Sequence, residues 1–184
     1  TSNLGANVTT SGTQTYTGAT ILSGGDRTLT GSTVNFGNTV TGTGSHDLII
    51  TGNLDLDGAL TDVVDLSVSG TSNLGANVTT SGTQTYTGAV TLSTDVTLTT
   101  TDSNVTFSST VDGDGTARDL TLTLGSGSAT FSGIVGTTSL ADITLNSSAT
   151  FNAALTADNL TIAANKTATV KDDVTIASTI ALSG

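Results

Sequence analysis

Residues 1–19, TSNLGANVTTSGTQTYTGA, return without a single change as residues 71–89. A copy this long means that the chain grew by duplication, so its fold must accept one sequence at two places. Repeat arrays meet that demand, because each unit packs only on its neighbours. Beyond residue 89 the copies diverge. Ala19-Thr20-Ile21-Leu22-Ser23 nevertheless faces Ala89-Val90-Thr91-Leu92-Ser93, and Phe36 with Val40 matches Phe107 with Val111. Divergence that spares apolar positions marks a stacking scaffold in which 1–70 and 71–184 are related by duplication. The whole of 1–184 is therefore expected to be a single repeat segment. Because the pattern runs into both ends without an obvious cap, the expectation is an interior slice of a longer array.

The residue types set the fold class. The chain has no Pro, Cys, Met or Trp, its fifteen acidic residues are all Asp, and Lys plus Arg number four. Most strong helix formers are thus scarce, while Thr and Val, which favour strands, abound. Runs such as Asp119-Leu120-Thr121-Leu122-Thr123-Leu124 alternate apolar and hydroxylated residues, the mark of a strand with one buried face. Gly, Asn, Asp and Ser punctuate these runs as turns. The chain is expected to be all-β with no helix.

A shorter motif runs beneath the duplication: a large apolar residue, three small or polar residues, then an aliphatic one. Its copies begin at Leu4, Phe36, Leu56, Leu74, Tyr86, Phe107, Phe131, Phe151 and Val170, with a looser one at Tyr16. The Gly, Asn, Ser and Thr inside the motif oppose a helix, and the even spacing places both apolar side chains on one strand face. From Tyr86 the large residue recurs about every 20 residues, at Phe107, Phe131, Phe151 and Val170. Between copies lies a second strand introduced by Asp95, Asp119, Asp142 or Asn159, with earlier versions at Asp26, Asp47 and Asp65. These short side chains can bond backbone N–H groups at a corner, which gives them a turn role without a ligand.

Coils of about 20 residues with two or three short strands describe a β-solenoid. Coils stacked ~4.8 Å apart make the segment a rod of roughly 45 Å, with Tyr, Phe and Leu in one internal ladder, Val and Leu in another, and Thr and Ser outside. The steps from Leu4 to Tyr16 and from Leu74 to Tyr86 are too short for a full coil, which puts one motif of each pair on a different side.

The phrase running from Asn77 through Tyr86 to Leu92, with Ala129-Thr130-Phe131-Ser132-Gly133 and Leu160-Thr161-Ile162, resembles repeats of giant bacterial surface proteins of the filamentous-haemagglutinin-like adhesin class. That resemblance implies a secreted, surface-displayed, right-handed parallel β-helix serving as stalk or adhesive fibre. It carries over no catalytic residue.

Signals of chemistry are few. His46 is the only histidine, and Ser45, His46 and Asp47 adjoin too closely in sequence for triad geometry. Asp112, Asp114 and Asp119, or Asp55, Asp57, Asp62 and Asp65, offer carboxylates to Ca²⁺ but match no Ca²⁺ loop, so solvated turns are expected. Gly24-Gly25-Asp26 and Gly125-Ser126-Gly127 lead into no helix that could hold phosphate. Asn7, Asn77, Asn104, Asn146, Asn159 and Asn165 head glycosylation sequons that are also ordinary repeat composition. Thr pairs at 13/15/17, 28/30, 83/85/87, 97/99 and 121/123 could form a hydroxyl array for sugar or ice, although in sequence they do not recur at one coil position. No catalytic, cofactor-binding or metal-binding residue is assigned.

The net charge of −11, without a basic cluster, makes nucleic acid and anionic membrane surfaces unfavourable partners. Arg27, Arg118, Lys166 and Lys171 are too scattered to build the basic and acidic cleft of a polysaccharide-cleaving β-helix. The expectation is a non-enzymatic structural segment of a bacterial cell-surface fibre, extracellular, needing no cofactor, whose partners are neighbouring repeats of the same or identical chains. The alternative is a glycan- or ice-binding module using a Thr-rich face. The uncharged, β-prone stretch 175–182 adds an expectation of end-to-end association.

Overall fold

The computed structural model describes residues 1–43 and 46–183. It is an all-β parallel β-solenoid of about 9 turns, about 20 residues each, with no helix among the described residues. Every strand pairing is parallel and joins one coil to the next. The strands form three columns, here the first, second and third faces. The first coil shows all three: Ser2–Leu4 on the first face, Val8–Thr9 on the second and Gln14–Tyr16 on the third. Thr20–Leu22 then returns beneath Ser2–Leu4. Longer strands such as Arg27–Phe36 bend round a corner, residues 27–30 lying on the second face and residues 33–36 on the third.

Within the interior coils the strand segments alternate inward and outward side chains. In Val96–Thr99, Val96 and Leu98 are buried while Thr97 and Thr99 look outward, because successive strand side chains point to opposite sides. The inward positions stack into continuous ladders. On the second face Tyr86, Phe107, Phe131 and Phe151 stack with ring centroids 5.3, 4.7 and 4.5 Å apart, and the last two planes lie within 3° of parallel. A shorter aromatic ladder, Tyr16 on Phe36 at 5.3 Å, stands on the third face.

The two Tyr residues occupy identical sequence, yet they stand on different faces. Residues 2–4 lie on the first face, whereas their copies 72–74 continue the third; residues 14–16 lie on the third, whereas 84–86 lie on the second. The duplicated sequence is therefore set round the rod by one face. This accounts for the short step from Leu4 to Tyr16, since those residues belong to different faces. From Leu54 a new face opens every six residues, at Leu60, Leu66, Ser72, Val78, Gln84 and Val90. All three faces ask for the same thing, two inward side chains and a tight corner.

One expectation needs correction. Leu4 and Val8, like Phe131 and Val135, do not share a strand face: they end one strand and begin the next, and the three small residues between them form the corner. Both point inward because the chain turns between them.

Corners are fastened by Asx side chains. Asp47 N–H donates to Asp26 Oδ1 and Asp65 N–H to Asp47 Oδ1, each at 3.1 Å. Asp119 N–H donates to Asp95 Oδ1 at 3.1 Å, and Asp142 N–H to Asp119 Oδ1 at 3.0 Å. The expected corner role holds, but the donor belongs to the following coil, so the side chains act as axial staples. Asn7 and Asn77 do the same for Thr28 and Thr97. At one corner Gly52 has φ +134°, and a Cβ there would overlap the Gly31 carbonyl of the preceding coil.

Candidate functional site

Three surfaces were built by this architecture: the outward hydroxyl columns, the polar strip on the third face, and the open coil edges.

The Thr pairs stand on different faces, as their sequence spacing suggested, with Thr15 on the third, Thr28/Thr30 and Thr85 on the second and Thr97/Thr99 with Thr121/Thr123 on the first. Within a face, however, Thr residues recur at fixed coil positions. On the second face Thr85, Thr106, Thr130, Thr150 and Thr169 align in successive coils. On the first face Thr97, Thr121, Thr144 and Thr161 form one column, with Thr79, Thr99 and Thr123 beside it. Thr97/Thr99 and Thr121/Thr123 are thus two rows of one grid, spaced ~4.8 Å along the rod and ~6.7 Å across it. Loops of unequal length between the faces hide this alignment in the sequence.

On the third face Asn35 Nδ2 donates to Asp55 Oδ2 at 2.6 Å and Asn73 Nδ2 to Asp55 Oδ1 at 2.9 Å. Asp55 and Asn73, with Thr33, Asn53 and Thr91, line a shallow groove. Asp55, one of the carboxylates considered for Ca²⁺, is occupied by its two amide neighbours.

Several other acidic residues are similarly committed, whereas the Asp57 and Asp62 carboxylates make no side-chain hydrogen bond and belong to no metal-ligand group among the described residues. Asp112 Oδ1 accepts from Thr138 N–H at 3.1 Å, and Asp114 forms a two-point ion pair with Arg118 at 2.8 and 3.1 Å. The Arg118 hydrogen bond holds the Asp114 carboxyl below the usual Asp range. Asp102 is held low first by the Ser126 N–H, which donates to it at 2.7 Å. Asp65 accepts from the Thr83 N–H and hydroxyl. No group of three or more potential metal ligands occurs among the described residues. His46 Nδ1 lies 4.0 Å from Asp26, and Asp47 serves its staple; Ser45 lies outside the described residues.

The four cationic side chains fasten the rod to itself. Arg27, 5% exposed, donates to the carbonyls of Leu4, Ser23 and Asp26. Lys166 Nζ reaches back to the Gly125 carbonyl at 3.0 Å and Lys171 Nζ to Asn152 Oδ1 at 2.8 Å. Among the described residues, no helix is long and apolar enough to cross a membrane.

Sequence reading missed an internal polar group. Gln84 is fully buried, and its amide donates to the Thr99 carbonyl at 3.0 Å while accepting from the Tyr86 hydroxyl at 3.1 Å. Burial raises the Tyr86 pKa far above its ordinary value, so the hydroxyl remains a donor. The signal was the two-residue spacing in Gln84-Thr85-Tyr86, which places Gln and Tyr on the same inward side.

At the two ends the ladders lie open. Val174, Ile180 and Leu182 are 45%, 56% and 74% exposed, and Leu4, Val8 and Tyr16 are only partly buried.

The architecture is that of a parallel β-solenoid. Compared with protein-family models, curated proteins and solved structures, the chain matches none.

Proposed function

We propose that the chain is a non-enzymatic structural segment, a rigid spacer in the stalk or matrix of a bacterial cell-surface fibre. The observation that carries this reading is the run of internal ladders from edge to edge, with Asp26, Asp47, Asp65, Asp95 and Asp119 joining successive coils. Such a body transmits length and stiffness, because each strand of the interior coils bonds to the coils before and after it. The sequence resemblance to large surface-adhesin repeats supports an extracellular setting.

The test places one, two or three copies in tandem between a bacterial surface anchor and an epitope tag. Epitope height should rise by ~45 Å per copy. A height that does not grow with copy number would refute the spacer role.

The Thr grid on the first face favours one second reading, a surface that orders water or receives glycan hydroxyls. Ice-recrystallisation and immobilised-glycan assays decide it, with Thr97→Lys/Thr121→Lys as the disabling variant. Equal results for parent and variant would remove this reading.

A further inference from the structure

We propose that the C-terminal coil of one molecule receives the N-terminal coil of a second copy, head to tail, in a register set round by one face. The inference goes beyond the spacer reading and rests on coil geometry alone.

The chain contains this junction already. Residues 1–19 and 71–89 are identical, and in the second setting Leu74, Val78 and Tyr86 are fully buried. Their cover is the preceding coil, where Leu54 and Leu56 pair with Ser72 and Leu74, Leu60 with Val78, and Leu66 and Val68 with Gln84 and Tyr86. In the first setting the same sequence has no such cover, and Leu4, Val8 and Tyr16 remain partly exposed.

The C-terminal coil reproduces the cover. Ala168, Val170, Val174, Ile180 and Leu182 follow one another at the same intervals as Leu54, Leu56, Leu60, Leu66 and Val68. The match runs on through the dipeptide Ser183-Gly184, which repeats Ser69-Gly70. One coil earlier, the inward positions Leu155, Leu160 and Ile162 are 0%, 3% and 8% exposed, so a covering coil is what Val174, Ile180 and Leu182 lack.

Main-chain bonding transfers with the side chains. At the internal junction Gly75 N–H donates to Leu56 O at 2.7 Å, Leu60 N–H to Asn77 O at 3.1 Å, Leu66 N–H to Thr83 O at 2.9 Å and Thr87 N–H to Val68 O at 3.0 Å. The corresponding intermolecular bonds join the second copy's Gly5 to Val170, Val174 to the second copy's Asn7, Ile180 to its Thr13, and its Thr17 to Leu182. Among the described residues, no proline and no outstretched lysine guards this edge. Proline is absent from the chain, and Lys166 and Lys171 both bend back onto earlier coils.

The register follows from the shape of a coil edge. A solenoid ends in a spiral ramp that climbs ~4.8 Å per turn, or about 1.6 Å per face. The last strand segment, residues 180–182, lies on the first face, so the ramp continues on the second. Only a second copy whose Ser2–Leu4 begins on the second face closes the step without a gap. That setting places the second copy's Asn3 opposite Thr169. The junction is weaker than its internal counterpart, because Asn53, Asp55 and Asp65, which accept hydrogen bonds there, are replaced by Thr167, Thr169 and Thr179.

The chain has no cysteine, which allows a direct test with engineered pairs. Strand partners ~4.8 Å apart lie within disulfide reach. Asn3→Cys is combined in turn with Thr169→Cys, Thr175→Cys or Ala181→Cys, one partner for each face. Under mild oxidation the 3/169 pair should give a ladder of disulfide-linked oligomers, at least tenfold faster than the other two pairs. Sedimentation of the parent should show mass rising with concentration, and Leu182→Asp should be monomeric with an unchanged melting temperature. A parent that stays monomeric at all concentrations overturns the proposal. Equal cross-linking of the three pairs overturns it too, by showing edges that adhere without register. Either failure leaves the height of tandem copies on a cell surface unaffected.

Discussion

Phe131→Ala is the sharpest perturbation of the interior. Phe131 is fully buried, with the Phe107 ring 4.7 Å away on one side and the Phe151 ring 4.5 Å away on the other. Removing a core Phe costs about 3–5 kcal/mol in transfer and cavity terms. A position flanked by two aromatic rings belongs at the upper end, since each stacked pair contributes ~0.5–1.5 kcal/mol beyond its area. The expected loss is about 5 kcal/mol, comparable to the whole stability of many domains. Phe131→Leu keeps most of the volume and should cost only about 1–1.5 kcal/mol. Tyr16→Ala, at a partly exposed site with a single ring neighbour, should cost about half as much as Phe131→Ala. Urea unfolding followed by circular dichroism measures all three. A loss below about 1 kcal/mol for Phe131→Ala, or equal losses for Phe131→Ala and Tyr16→Ala, would refute the ladder as a source of stability.

Ser72 has a buried hydroxyl with no hydrogen-bond partner, so Ser72→Ala should stabilise by ~1 kcal/mol, while Ser2→Ala at the partly exposed copy should change nothing measurable in the same urea titration. Gly52→Ala, which forces a Cβ into the Gly31 carbonyl at φ +134°, should cost at least about 2 kcal/mol; Gly12→Ala, with open space around it, should leave the thermal midpoint within a degree or two. The carboxyls of Asp102 and Asp114 titrate below the ordinary value of 3.8, so their contribution is present above that pH and is lost as pH falls through the lower folded-state values. Urea midpoints measured across that acid range should therefore fall less steeply in Asp102→Asn than in the parent.

The coil and its aromatic ladder were legible because inward positions alternate with Thr and the large residues from Tyr86 to Phe151 keep nearly even spacing. The corner motif was not. A spacing of four between Leu4 and Val8 suits one extended strand as well as two strands with a bend, and only the packing decides between them. The Thr columns were obscured because Thr99 and Thr123, neighbours in space, are separated in sequence by three corners of unequal length, at residues 100–104, 108–110 and 114–119. Arg27 gave no signal. Its role depends on three carbonyls from separate parts of two coils, brought together only by stacking. The acidic clusters read from sequence as turn residues, and among them Asp65 and Asp112 accept from backbone N–H groups of the following coil while Asp55 accepts from two Asn side chains.

That one 19-residue sequence serves on different faces has a consequence for how such a molecule can grow. Its unit of growth is the side, about six residues, and not the whole turn. Gain or loss of a side during replication leaves the interior stacked but swings everything downstream through a third of a circle. A patch of chemistry repeated along the gene would then wind about the fibre like the strands of a rope, facing every direction in turn rather than lining a single flank.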